Sequence, residues 1–308
     1  MRKIYCLGET VYDIIFKNGQ PVAAKAGGSM LNSTVSLGKI NMPVYFISEY
    51  GTDDIGNEID SFLGSVNVNT KNVYRYDHGK TSIAIAFLDE SNNARYSFYK
   101  DQPDKRLDIE FPKPCNDDIV LFGSFYAINK EIREPVTRFI NKAKLSGCTV
   151  IYDPNFRKAH LGELPELLPM IIENMKMASI VRGSNEDFQM ICKATNIDEA
   201  YKFTSQYCPV LLYTLNADGV DLKSANMNRH FKVPEIKPIS TIGAGDNFNA
   251  GLIYGLLKEN VTKQNIVILN EQVWQRIISH GIDFASDVCM SYDNYVSDNF
   301  AAKIKNLN

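Results

Sequence analysis

Ile239-Ser240-Thr241-Ile242-Gly243-Ala244-Gly245-Asp246-Asn247-Phe248-Asn249-Ala250-Gly251 is the stretch from which the fold of this 308-residue chain is read. Phe248, Leu252 and Leu256 recur every fourth position, with Ile253 and Leu257 beside them, so an amphipathic helix starts directly after Gly-Ala-Gly. A helix N-terminus carries unpaired N–H groups and the positive end of the helix dipole, where an anion can dock. Glycines let phosphate oxygens approach the main chain. Asp246 then falls in the first turn, as a residue of the anion cradle or as the acid that any helix start favours.

Upstream of this stretch, from about residue 117, short apolar runs alternate with helical segments. Residues 119–122, 148–152, 178–181 and 210–214 read as strands, with helices over 131–145, 164–174, 185–194 and around Tyr201 and Phe203. This alternation predicts βαβ units and a mostly parallel sheet covered on both faces. Ligands of such sheets gather at the carboxyl ends of the strands.

The N-terminal third reads differently. Residues 4–7 form a buried strand, and residues 11–16 and 21–24 flank Lys17-Asn18-Gly19-Gln20, a hairpin signal. Residues 81–88 alternate, with Ile83, Ile85 and Phe87 on one face and Ser82, Ala84 and Ala86 on the other, and a turn over 89–93 leads to a strand over 95–99. The hairpin and these strands form a small sheet outside the main layer. Ala26-Gly27-Gly28-Ser29-Met30-Leu31-Asn32 opens a helix with Ser29 as its cap, and Asp53 and Asp54 cap the next. Asp13 is an acid within an apolar strand, an exposed alternating position or a hydroxyl acceptor.

Composition narrows the function. A net charge of −3 leaves no footprint for nucleic acid or an anionic membrane. The six cysteines (6, 115, 148, 192, 208, 289) show no C-x-x-C or metal spacing and read as reduced residues of a cytoplasmic protein. The apolar run at the N-terminus is too short for a signal peptide, and no stretch approaches a membrane span. The absence of G-x-x-x-x-G-K-[ST] excludes a P-loop kinase.

Taken in order, the motifs resemble the ribokinase-like (PfkB) carbohydrate kinase family, and within it fructokinases above all. Residues 240–246 match D-T-x-G-A-G-D except at Ser240; Gly8, Glu9 and Asp13 match G-E-x-x-x-D; Gly27, Gly28 and Asn32 match G-G-x-x-x-N; residues 153–157 match D-x-N-x-R; residues 214–219 resemble T-x-G-x-x-G. These matches span residues 8 to 251. The resemblance implies a ribokinase-like three-layer α/β/α fold, a mostly parallel central sheet with a small β-sheet lid over about 11–25 and 81–100, and a single domain over 1–308.

It also implies ATP-dependent phosphorylation of a sugar hydroxyl, with fructose as first acceptor. Asp246 would be the base, with the amides of Gly243, Ala244 and Gly245 stabilising the transferring phosphoryl group. Asp13, Gly28, Asn32 and Phe98 would bind the sugar, with Phe87, Arg95 and Lys100 selecting among sugars. Asn155, Arg157, Ser184, Thr214, Asn216, Gly219, Gly243 and Gly245 would face ATP. Asp187, or Glu186 with a slipped register, would support Mg2+ through water. Ser240 replaces an Asp that commonly helps hold a monovalent cation, so no potassium requirement carries over. A final helix over 274–286 would line the adenine pocket, and two copies would pair through the lid. Alternatives are a 2-keto-3-deoxygluconate, ribose or nucleoside kinase, or a non-catalytic sugar- or nucleotide-binding regulator, which the departures at Ser184, Asp187, Asn216 and Ser240 motivate.

Overall fold

The computed structural model describes residues 2–89 and 94–306; residues 90–93 of the expected turn lie outside them. The chain begins with β1 (Ile4–Leu7) and the hairpin β2 (Val11–Lys17) and β3 (Gln20–Gly27). At the hairpin tip Asn18 and Gly19 both have positive φ, 52° and 75°, the pattern that suits a tight two-residue turn. There follow α1 (Ser29–Lys39), β4 (Val44–Gly51), α2 (Asp54–Ser65), β5 (Asn69–Tyr76), β6 (Lys80–Leu88) and β7 (Ala94–Asp101). The alternating part comprises β8 (Ile119–Gly123), α3 (Arg133–Leu145), β9 (Thr149–Asp153), α4 (Leu164–Met177), β10 (Ile180–Ser184), α5 (Asn185–Cys192), α6 (Ile197–Thr204) and β11 (Leu211–Thr214). The hairpin β12 (Val220–Ser224) and β13 (Met227–Phe231) precedes α7 (Ala244–Lys258), α8 (Glu271–Cys289) and α9 (Asp298–Lys305). The helix read as final is therefore followed by another.

Two sheets result. The larger has the order β13-β12-β11-β10-β9-β8-β1-β4-β5. It is parallel from β11 to β5 and antiparallel only where β12 and β13 extend it. The smaller has the order β3-β2-β6-β7, with one parallel pair, β2 and β6.

Alternate residues of the central strands enter two separate cores. Ile4, Cys6, Ile119 and Leu121 join a cluster with side chains of α1, α2, α7, α8 and α9. Tyr5, Leu7, Val120 and Phe122 join the opposite one with α3, α4, α5 and α6. This is the three-layer arrangement that near-continuous apolar strands require. Among the described residues no helix is long and apolar enough to cross a membrane. All six cysteines are free.

Helix α7 is held by packing rather than by its ends. Phe248, Leu252, Ile253 and Leu256 are buried in the first core. Each contributes on the order of 1.5–3 kcal/mol, against about 0.3–1 kcal/mol for a charge placed on a helix dipole. The first turn of α7 is thereby fixed over the carboxyl ends of β9, β10 and β11.

Candidate active site

Gly243 precedes α7 with φ 79°, and no side chain caps the helix. Both glycines of the cradle are required by the protein itself. A Cβ on Gly243 would meet the carbonyl of Asn294 at 2.9 Å, and one on Gly245 would meet the Arg182 guanidinium at 2.8 Å. Their bare faces thus accommodate neighbours within the chain, not only an incoming anion. The Ala244 N–H goes to the Thr241 carbonyl at 3.3 Å, so this one of the predicted cradle amides is turned to the chain itself.

Asp246 faces α1. Ser29 donates its hydroxyl to Oδ1 at 2.7 Å, and Asn32 donates its amide to Oδ2 at 2.8 Å. Ser33 donates to the Asp246 carbonyl at 2.6 Å. Ser29 is therefore no cap: Gly28 occupies that position, and the serine hydroxyl crosses to the other helix. Burial pushes the Asp246 carboxyl above the ordinary carboxylate range, the bonds from Asn32 and Ser29 draw it back, and Asp153 and Arg157 act in opposite senses. A desolvated carboxylate held by neutral donors suits proton acceptance.

The smaller sheet carries residues read as sugar-binding. Cross-strand register sets Lys25, Asp13, Ala84 and Phe98 in one row across β3, β2, β6 and β7. Asp13 lies against Gly27, where any side chain would collide with its carboxylate. Burial raises the Asp13 carboxyl to about 6, with Lys25 acting against the rise. Lys25 donates to the Tyr292 carbonyl, which ties the smaller sheet to the loop after α8. Phe98 is 60% exposed on this face. Phe87 and Arg95 pair on the other face, cation over ring at 5.2 Å, so they are not selectors beside Asp13. Lys100 lies over the Phe98 ring. Gly28 (φ 135°) packs against the Glu9 carbonyl, and the buried Oδ1 of Asn32 has no partner.

The remaining candidates line the ends of β9, β10 and β11. Asn155 has φ 39° and a buried, unpartnered Nδ2. Arg157 is exposed, and its charge reaches Asp246. Ser184 and Asp187 form a capping box on α5. Asp187 accepts from Phe156 N at 2.6 Å on one oxygen and from Ser184 N and Oγ at 2.7 Å on the other. Its carboxylate is thus taken, while Glu186 is exposed. Among the described residues no three His, Cys, Asp or Glu side chains gather as a metal cage. That donor set fits an ion that arrives on a nucleotide and keeps its waters.

Thr214 accepts from Arg182, and Gly219 has φ 117°. Asn216 has φ 52°, a left-handed conformation that asparagine tolerates nearly as glycine does, so the loop keeps its path despite the replacement. Ser240 accepts from Ile242 N through its own hydroxyl, a local turn.

Several residues escaped the sequence reading. Arg182 bridges Asp153 and Thr214, and Asn249 donates to Asp153 at 2.6 Å. Asn247 donates to the carbonyls of Gly243 and Asn294. The available signal was composition: polar residues at 247 and 249 within an apolar helix, and an arginine within a buried strand.

Comparison with known proteins places the chain in a family. The profile described as pfkB family carbohydrate kinase matches residues 1–266. A fructokinase of Vibrio alginolyticus is 23% identical over 277 residues, covering 89% of this chain and 90% of that protein. An aminoimidazole riboside kinase of Salmonella typhimurium is 24% identical over 264 residues, covering 84% and 82%. The crystal structure of a fructokinase double mutant from Vibrio cholerae, with fructose, ADP and potassium ion bound, superposes with a TM-score of 0.84 at 20% identity, covering 99% of this chain and 98% of that one. The fold is ribokinase-like, and the chain belongs to the PfkB family of carbohydrate kinases.

Proposed function

We propose that this protein transfers the terminal phosphoryl group of ATP to a hydroxyl of a sugar, with fructose, giving fructose 6-phosphate, as first acceptor. The observation that carries the reading is the facing pair of helix starts: Asp246 of α7, held by Ser29 and Asn32 of α1, beside uncapped amides. Asp13, Asn32, the Gly28 backbone and Phe98 would hold the sugar beneath the lid. Asp246 would accept the proton of the attacking hydroxyl, and the amides of Gly245 and Asp246 would receive the charge that grows on the phosphoryl oxygens. Catalysis of this kind is mainly positioning and charge stabilisation.

Asn155, Arg157, Thr214, Asn216 and Gly219 would contact ATP. Mg2+ on its phosphates would neutralise charge, with Glu186 available to receive one of its waters. Lys25 stands across from Asp13, but its ammonium is engaged by the Tyr292 carbonyl and faces Asp13 and Asp293. It therefore gives no reason to prefer an acidic sugar over a neutral hexose. Pairing of two copies would use the lid face that carries Phe87 and Tyr99, both exposed.

An ADP-release assay over fructose, ribose, 2-keto-3-deoxygluconate and nucleosides, with and without potassium, tests the reading. ADP formed with one of these acceptors and not without it supports kinase activity. Nucleotide binding with no ADP from any acceptor would favour the regulatory alternative.

A further inference from the structure

We infer that Arg182 is a positioning residue for the reaction proposed above: it clamps Asp153 and Thr214 beneath the first turn of α7 and balances the Asp153 charge next to Asp246. The inference rests on the kinase reading. Arg182 is the central residue of β10 and is buried, 7% exposed. Its Nη1 donates to Asp153 Oδ2 at 2.8 Å and its Nη2 to Thr214 Oγ1 at 2.9 Å. The guanidinium lies against Gly245 and over the Phe248 ring at 5.6 Å, while its buried Nε has no partner. Asp153 Oδ2 also accepts from Asn249 of α7 at 2.6 Å. One ion pair, with the bonds around it, thus joins β9, β10 and β11 to the helix that presents Asp246.

Stability alone does not account for this pair. A buried ion pair is commonly no better than apolar side chains of similar volume, because desolvating both charges offsets their attraction. Charge at the site supplies a reason. Asp153, Asp187 and Asp246 stand together where a polyanion would dock, and Arg182 is the buried cation among them. Asp246 is faced by the neutral Ser29 and Asn32 from α1, by Asp153 from β9, and by Arg157 from the segment after β9. Arg182 and Asp153 both reach Asp187 on α5, with opposite signs. Removing Arg182 would leave Asp153 uncompensated and favour the protonated form of Asp246; removing the Asp153 charge would do the reverse.

The test is the pH dependence of kcat for the full-length protein, at saturating concentrations of the sugar it turns over best, so that ionisation of Asp13, which acts on KM, does not enter. Arg182→Gln should lower kcat roughly tenfold or more and move the acid limb up by on the order of half a pH unit. Asp153→Asn should move the limb down. Arg182→Lys, which keeps the charge, should leave the limb in place while kcat falls. Limbs that do not move, or that move together, would overturn the inference even if all three variants are slow, since lost structure alone lowers kcat without shifting them. Should Arg182→Gln fail to fold, Asp153→Asn and Arg182→Lys still decide. An active wild type that loses turnover in Asp246→Asn but shows unmoved limbs sinks this inference alone. No ADP from the wild type with any sugar removes the kinase reading and this inference with it.

Discussion

Asn32 donates its side-chain amide to Asp246 Oδ2 at 2.8 Å, joining two helix starts 214 residues apart in the chain. With Ser29 on the other carboxylate oxygen, the acid is aimed by neutral groups and not neutralised by a cation. If Asp246 accepts a proton, Asp246→Asn should lower kcat roughly 10²–10⁴-fold, with the sugar KM nearly unchanged because the shape is kept. Steady-state kinetics with circular dichroism as a folding control decides it. Near-normal turnover would dismiss Asp246 as the base.

Removing either donor should raise the proton affinity of Asp246, since burial already raises it and the two bonds work against that rise. Ser29→Ala and Asn32→Ala are each expected to shift the acid limb of kcat, measured at saturating sugar, to higher pH. Only Asn32→Ala should also raise the sugar KM, because the second polar atom of Asn32 is buried without a partner and available to a hydroxyl. Equal effects on KM from both changes would deny Asn32 its separate role.

Asp13 titrates near 6 because it is buried, so sugar binding through an ionised carboxylate should weaken as pH falls through that value. KM for the sugar is expected to rise below about pH 6 in the wild type and to be higher and flat across this window in Asp13→Asn. The stability contribution runs the other way. The native state holds a proton between roughly pH 4 and 6 that the unfolded chain has released. This group's contribution is therefore greatest below pH 4 and is lost as pH rises through 6. Urea midpoints measured at pH 4.5 and 7 in wild type and Asp13→Asn isolate it, and an identical pH trend in both would exclude Asp13 as the source.

Gly245→Ala puts a methyl 2.8 Å from Arg182, a buried group that cannot retreat. Overpacking of this sort costs about 1–3 kcal/mol. We expect a lower thermal midpoint together with reduced kcat, because the clash displaces the first turn of α7. A variant with wild-type melting and turnover would mean that the guanidinium yields freely.

The parallel sheet, the strands of the smaller sheet and the start of α7 were legible because they depend on local periodicity: period two in 81–88, period 3.6 from Phe248, apolar runs over 119–122 and 148–152. What stayed hidden depends on contacts between distant segments. Ser29 has the sequence appearance of a cap, and only the packing of α1 on α7 sends its hydroxyl to Asp246. Arg95 looks like a selector until the register of β6 and β7 places it with Phe87 on the far face. Arg182 directly follows the run 178–181 that reads as a plain buried strand, and its partners come from β9 and β11.

Arg106, on the segment that returns from the smaller sheet to the larger one, pairs with Glu49. Both side chains are buried, 3% and 4% exposed, and Arg106 Nε donates to Glu49 Oε1 at 2.9 Å. The other oxygen, Oε2, accepts from Leu107 N at 2.8 Å and so holds Leu107 at φ 48°, which is strained for a branched side chain. Glu49→Gln would leave a buried guanidinium without its counter-charge, and removal of one partner of such a pair costs roughly 3–5 kcal/mol. Arg106 also reaches the exposed Glu131, so the lower end of that range is expected. Replacing both residues together, Glu49→Leu with Arg106→Met, removes the stranded charge and should recover part of the loss, leaving the Leu107 strain and its unpaired N–H as the remainder. Urea unfolding of the wild type and the two variants separates these terms: if the double variant is as unstable as Glu49→Gln, the cost lies in the strained backbone and not in the charge.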